Sequence, residues 1–212
     1  PEDDQRLKSM WSPINYDRFN LTLSAGYTPQ FSRNTLQLNQ GIVNDQLLFS
    51  DISYMAGMHY TDWSWSILFS DLDLNGFKDI IITNGYQRDM QDLDFVHYMQ
   101  KPTNYFGTES NQEFFLNAVQ GLPSVKVPNY IFKNNGNLAF TNTTKSWIGE
   151  IPSVSHGAAN TDLDNDGDND LIICNNNESP FIYQNTLNSK EKISKNYCKI
   201  KLQGTAENHQ AI

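Results

Sequence analysis

One nine-residue pattern occurs twice and limits what the chain can fold into: Asp71-Leu-Asp73-Leu-Asn75-Gly76-Phe77-Lys-Asp79 and Asp162-Leu-Asp164-Asn-Asp166-Gly167-Asp168-Asn-Asp170. Each copy sets oxygen-bearing side chains at positions 1, 3, 5 and 9 and Gly at position 6. Alternate side chains of a tight loop converge on one centre, Gly permits the sharp turn, and the backbone carbonyl at position 7 (Phe77, Asp168) can add an oxygen. A hard cation with six to eight oxygen ligands suits such a loop, and Ca2+ is expected in both copies; Mg2+ prefers fewer protein ligands, and soft metals want His or Cys.

The first five ligand positions resemble an EF-hand, but position 12, where an EF-hand needs a bidentate Glu, is Ile82 or Ile173. Each loop also runs into a short apolar stretch, Asp79-Ile-Ile-Ile-Thr83 or Asp170-Leu-Ile-Ile-Cys174, which reads as a buried strand and not an amphipathic helix. Each expected metal loop therefore joins two strands. The alternative is an acidic turn that binds nothing, and finding the pattern twice weighs against it.

The loops belong to a longer repeat. Phe49 stands 22 residues before Asp71 and Phe140 stands 22 before Asp162, an offset of 91 between copies. Ser64-Trp-Ser-Ile-Leu-Phe-Ser70 matches Ser155-His-Gly-Ala-Ala-Asn-Thr161. Ahead of the anchors, Asn34 to Gly41 and Asn129 to Gly136 both read as a strand ending in a turn signal, and Phe181-Ile-Tyr-Gln-Asn185 starts another. Residues 86–128 read as an insertion of 43, which leaves a spacing of 48. Repeats of roughly 40–50 residues with several short strands suggest a β-propeller, which closes with about four to eight blades. The expected fold is all-β, a partial propeller with a short helical insertion, within a longer protein.

The segments SWSILFSDLDLNGFKDIIITNG, SHGAANTDLDNDGDNDLIICNN and NYIFKNNGNLAF resemble the FG-GAP/VCBS repeats of integrin-α-like propellers. The likeness is strongest to bacterial proteins similar to cartilage acidic protein, where such repeats precede an ASPIC/UnbV domain; Asn196 to Gly204 looks like that domain's opening strand. The resemblance implies structural calcium held by Asp71, Asp73, Asn75 and Asp79, and by Asp162, Asp164, Asp166 and Asp170. Asn75 replaces an Asp and removes one charge from the first site. The implied organisation is the end of a blade or a linker at 1–32, a blade at 33–85, the insertion at 86–128, a second blade and the start of the next at 129–187, and the truncated ASPIC/UnbV opening at 188–212. The rest of the propeller and that domain are implied partners.

Only 38% of the chain is hydrophobic and 18% charged, the balance being polar and loop-forming, which suits a secreted, periplasmic or outer-surface β domain. The net charge of −9, which two calcium ions would bring to −5, argues against nucleic acid as a partner. No apolar run is long enough to span a membrane. A signal peptide is absent, but a chain that opens at Pro1 without Met is expected to lack its natural start. Cys174 and Cys198 fall in predicted strands and read as inert buried thiols, in preference to a disulfide.

Outside the loops, Asn20 to Ser24 alternates like a strand, so that 1–32 could finish an earlier blade. Trp63 and Trp65 point to one strand face, as sugar-stacking platforms or as sheet-to-sheet packing; packing is preferred because His156 takes Trp65's place in the second copy. In the insertion, Gln87 to Met99 and Asn111 to Val119 carry helical periodicity, and Arg88, Asp89, Asp92, Asp94, His97 and Tyr98 form its densest polar group. That group is a binding surface for a glycan or an extracellular protein, or else a solvated helix face with a capping Asp. No nucleophile with its base is evident, and His59, His97, His156 and His209 lack metal spacing. A non-enzymatic adhesion or recognition module is expected, with a polysaccharide lyase or hydrolase using Arg88, His97 and Tyr98 as the alternative.

Overall fold

The computed structural model describes residues 16–29, 31, 33–100, 111–188, 197, 198 and 200. The chain is mostly antiparallel β-sheet with a few short helices. A two-stranded sheet pairs β1 (Gln37–Val43) with β2 (Gln46–Asp51). A four-stranded sheet runs in order β3 (Ser64–Ser70), β4 (Asp79–Asn84), β5 (Tyr130–Asn134) and β6 (Phe140–Asn142). A three-stranded sheet follows the same pattern with β7 (Ser155–Thr161), β8 (Asp170–Asn175) and β9 (Phe181–Tyr183). The four-stranded sheet spans the insertion, since β4 pairs with β5 by setting Ile80, Ile81 and Ile82 opposite Phe132, Ile131 and Tyr130.

The period of two explains why β4 is apolar throughout. Ile80 and Ile82 join Ala56, Met58, Tyr130 and Phe132 in a core on one face, next to the segment that follows β2. Ile81 and Ile131 face the other way and join Leu72 and, from β8, Leu171 and Ile173 in a second core. The middle sheet is thus covered on both sides. On the third sheet, Ile182 occupies the place of Ile131 but is 65% exposed, against 1% for Ile131.

The helices are α1 (Tyr16–Ser24), α2 (Leu93–Gln100), α3 (Asn111–Gln120) and α4 (Thr144–Trp147). The strand expected at 20–24 is instead the second half of α1. Among the described residues it has no neighbouring strand to satisfy its backbone, none of its residues is buried, and the hydroxyls of Thr22 and Ser24 donate back to the carbonyls of Phe19 and Leu21 at 2.7 and 2.8 Å. The insertion is helical as expected, although its first helix starts at Leu93, later than the periodicity from Gln87 suggested. Asp92 sets the start: its Oδ1 accepts the N–H groups of Asp94 and Phe95 at 2.9 and 3.1 Å. The turn expected near Gly41 is a bulge there (φ +84°), and the hairpin closes later at Asn44-Asp45, both with positive φ. Cys174 and Cys198 are free but exposed, contrary to the expected burial. Ile173 takes the buried side of β8, which turns Cys174 to the opposite one.

Arg33 fastens the first hairpin. Its guanidinium bonds to Asp51 and to the Ser53 hydroxyl (2.8 Å) and lies 4.9 Å from the Tyr54 ring centre. The Ser53 N–H and hydroxyl, then Arg33 and the Leu36 N–H, hold the Asp51 carboxyl well below the usual carboxylate range. A depressed folded pKa adds stability that is present above the unfolded value of about 3.9 and lost as pH falls below it. The gap in urea midpoint between wild type and Asp51→Asn is therefore expected to be constant above about pH 5 and to narrow steadily toward pH 2.

Candidate metal centres

Each acidic loop is the connection of a β-hairpin, β3 to β4 and β7 to β8, so the strands on either side fix its two ends. The two loops share their turn geometry and several of their bonds. Position 4 is left-handed in both (Leu74, φ +51°; Asn165, φ +63°), and the Gly at position 6 lies at φ +92° or +95°. The N–H at position 5 donates to the carboxylate at position 1, Asn75 to Asp71 at 3.0 Å and Asp166 to Asp162 at 3.1 Å. The N–H at position 7 donates to the side chain at position 5, Phe77 to Asn75 at 2.7 Å and Asp168 to Asp166 at 3.2 Å.

Asp79 and Asp170, at position 9, are buried and act as latches. Asp79 Oδ2 accepts the Leu72 N–H at 2.9 Å and its Oδ1 the Asn134 N–H at 2.8 Å. Asp170 does the same with Leu163 (2.7 Å) and Asn185 (2.8 Å). Each carboxylate ties the start of its loop to the end of the third strand of its sheet.

Carboxylate oxygens gather at both loops: Asp71, Asp73 and Asp79, and Asp162, Asp164 and Asp166, each offer one oxygen within 4.8 Å of the others in the set. Several of the oxygens are buried with no hydrogen-bond partner, namely Asp73 Oδ1, Asp164 Oδ1, Asp166 Oδ2 and Asp168 Oδ1. A buried carboxylate oxygen without a donor is costly, and a cation removes that cost. The residues present therefore fit a hard divalent ion at both loops, by donor type and by their unsatisfied oxygens. Burial, with Asp73 and Asp71 nearby, pushes the Asp79 carboxyl above its ordinary value, against the two amides that pull it down. Burial likewise raises Asp168, with Asp166 and Asp170 adding to the effect. Asp168 was expected to contribute only its carbonyl, yet its side chain is 1% exposed, and Oδ2 accepts the Asn188 N–H at 2.7 Å.

The other candidate residues take structural partners. Trp65 donates through Nε1 to the Gly85 carbonyl at 2.5 Å and lies 4.7 Å from the His156 ring, while Trp63 lies 5.5 Å from Tyr86. Packing thus joins the two strand positions matched in sequence, although Trp65 remains half exposed. Arg88 donates to the Leu122 carbonyl at 2.7 Å and Asp89 accepts the Tyr86 hydroxyl at 2.9 Å, closing the neck of the insertion. His97 and Tyr98 are exposed on α2.

A cleft of about 400 Å³ opens elsewhere, between the second and third sheets, with Asp73, Trp147, Leu171, Tyr183, Gln184 and Asn185 on its walls. Sequence reasoning passed over Trp147 and the pairs Lys133-Asn134 and Gln184-Asn185. The signal was there: Lys-Asn and Gln-Asn end equivalent strands, and their Asn residues close the loops. The chain matches no protein-family model, and no curated protein matches it. Among the described residues no helix is long and apolar enough to cross a membrane.

Proposed function

We propose that the chain is a calcium-stabilised repeat module of a β-propeller, in a secreted, periplasmic or surface-exposed protein, and that it recognises a glycan or protein ligand without catalysis. The observation that carries this reading is the duplicated loop, which gathers carboxylates in both copies and leaves Asp73 Oδ1 in the first, and Asp164 Oδ1, Asp166 Oδ2 and Asp168 Oδ1 in the second, buried without a donor. The stacked antiparallel sheets supply the blades. Asp71, Asp73, Asn75 and Asp79, with the Phe77 carbonyl, would hold the first ion; Asp162, Asp164, Asp166 and Asp170, with Asp168, would hold the second. Calcium at each loop replaces carboxylate repulsion with attraction and stiffens a hairpin whose strands form the sheet core. Millimolar calcium, found outside the cytosol, saturates such sites.

Thermal unfolding in EGTA and in about 1 mM calcium tests the reading. A site ten to a hundred times tighter than that concentration adds roughly 1.4–2.7 kcal/mol, and Tm rises about 2–4 °C per kcal/mol for a chain of this size. Asp164→Asn is expected to remove the second loop's share of the shift while leaving the EGTA curve near wild type, because one carboxylate oxygen has no partner to lose and the Asn carbonyl can keep accepting the Gln184 amide. A Tm unmoved by calcium, with no metal bound, would sink the calcium reading.

A further inference from the structure

We infer that the two loops are unequal cation sites, and that Lys133 acts as a built-in cation at the first, so that divalent binding is tight only at the second. The inference rests on the calcium reading above and deepens it.

The latching amides fix the equivalence. Asn134 and Asn185 donate to the position-9 carboxylates at the same distance, 2.8 Å, which places the residues just before them, Lys133 and Gln184, at the same point beside their loops. There the loops part. Lys133 Nζ lies 2.5 Å from Asp73 Oδ2, whereas Gln184 Nε2 donates to Asp164 Oδ2 at 2.8 Å. The same ligand carboxylate meets a full positive charge in one loop and a neutral amide in the other.

The remaining differences act in the same direction. The first loop carries three carboxylates, Asp71, Asp73 and Asp79, against five in the second. Asn75 is fully engaged, its Oδ1 accepting the Phe77 N–H and its Nδ2 donating to the Asn134 carbonyl at 3.0 Å. At the same position in the second loop, Asp166 is 7% exposed and its Oδ2 has no donor; Asp168, 1% exposed, also has an unpartnered oxygen. In the first loop Asp73 Oδ1 is the one oxygen left without a donor, and an arriving divalent cation must displace or oppose the ammonium. The second has unpaired buried charge that only an ion relieves.

Calcium titrated calorimetrically into the EGTA-stripped, desalted full chain tests this. Wild type is expected to bind one ion tightly and a second at least tenfold more weakly. Lys133→Gln is expected to tighten the weak event at least tenfold, and Gln184→Lys to weaken the tight event by a similar factor. The double exchange, Lys133→Gln with Gln184→Lys, keeps the overall charge and is expected to move tight binding to the first loop. Circular dichroism of each variant in EGTA establishes that it folds. Two equal events in wild type, unchanged by Lys133→Gln, would overturn the inference and leave the calcium reading standing. Absence of binding by wild type and by Lys133→Gln alike would overturn both.

Discussion

Asp170→Ala is expected to lower stability by roughly 2–4 kcal/mol in EGTA, and by more in calcium, where the ion's site is damaged as well. The side chain is 1% exposed, and its two oxygens receive the N–H groups of Leu163 and Asn185. Truncation leaves two partly buried donors without acceptors, at about 1–3 kcal/mol each at most, and opens the tie between loop and β9. A loss that persists in EGTA is what reveals the latch, whatever the same carboxylate also gives an ion. Asp164→Asn costs stability only where calcium is present, whereas Asp170→Ala costs it everywhere. Urea unfolding of both variants with and without calcium distinguishes them, and an Asp170→Ala protein as stable as wild type in EGTA would show that the latch contributes nothing. Asp79→Ala should repeat the result in the first loop.

Gly85→Ala is the second large effect, roughly 3 kcal/mol or more. Gly85 follows β4 at φ +107°, where side chains are disfavoured, and a Cβ there would lie 2.5 Å from the Ser153 carbonyl oxygen and 2.9 Å from Val154 Cα. Both are backbone atoms of the segment leading into β7 and cannot rotate away. Gly157→Ala is the control, since no atom lies within 4 Å of its would-be Cβ and its φ is not in the left-handed range; its urea midpoint should stay close to wild type. A Gly85→Ala midpoint equally close would mean that the two segments separate at little cost.

The loops and the strands after them were legible because both signals are local. Asp, Asn and Gly at fixed spacing declare the turn, and in the first copy three β-branched residues in succession declare a strand covered on both faces. The polar contacts between segments were much harder to see. Asn129 accepts the Asn84 N–H through Oδ1 and donates to Ser155 through Nδ2, both at 2.9 Å, joining three segments through buried groups whose letters look like ordinary loop polarity. Lys133 was hidden for the same reason: a lysine at a strand end reads as solvated until the strand pairing places it against Asp73. The helix at 16–24 was misread because alternation over five residues fits a strand, but a strand needs a partner and this segment has none among the described residues. Cys174 shows how far a sheet's alternation depends on its neighbours, since only a further layer would have buried it.

The insertion between β4 and β5 also governs the order in which the sheets can assemble. The hairpins β1 to β2, β3 to β4, β5 to β6 and β7 to β8 each close between segments near in sequence, and β9 follows β8 after a short turn. The pairing of Ile81 with Ile131 alone must bring together strands separated by two helices, and the entropy of closing that loop is lost before the contact forms. The three-stranded sheet can therefore complete itself first. Its face of Leu171 and Ile173 then offers a surface on which β4 and β5 meet, so that the slow joint of the chain closes against a surface already in place.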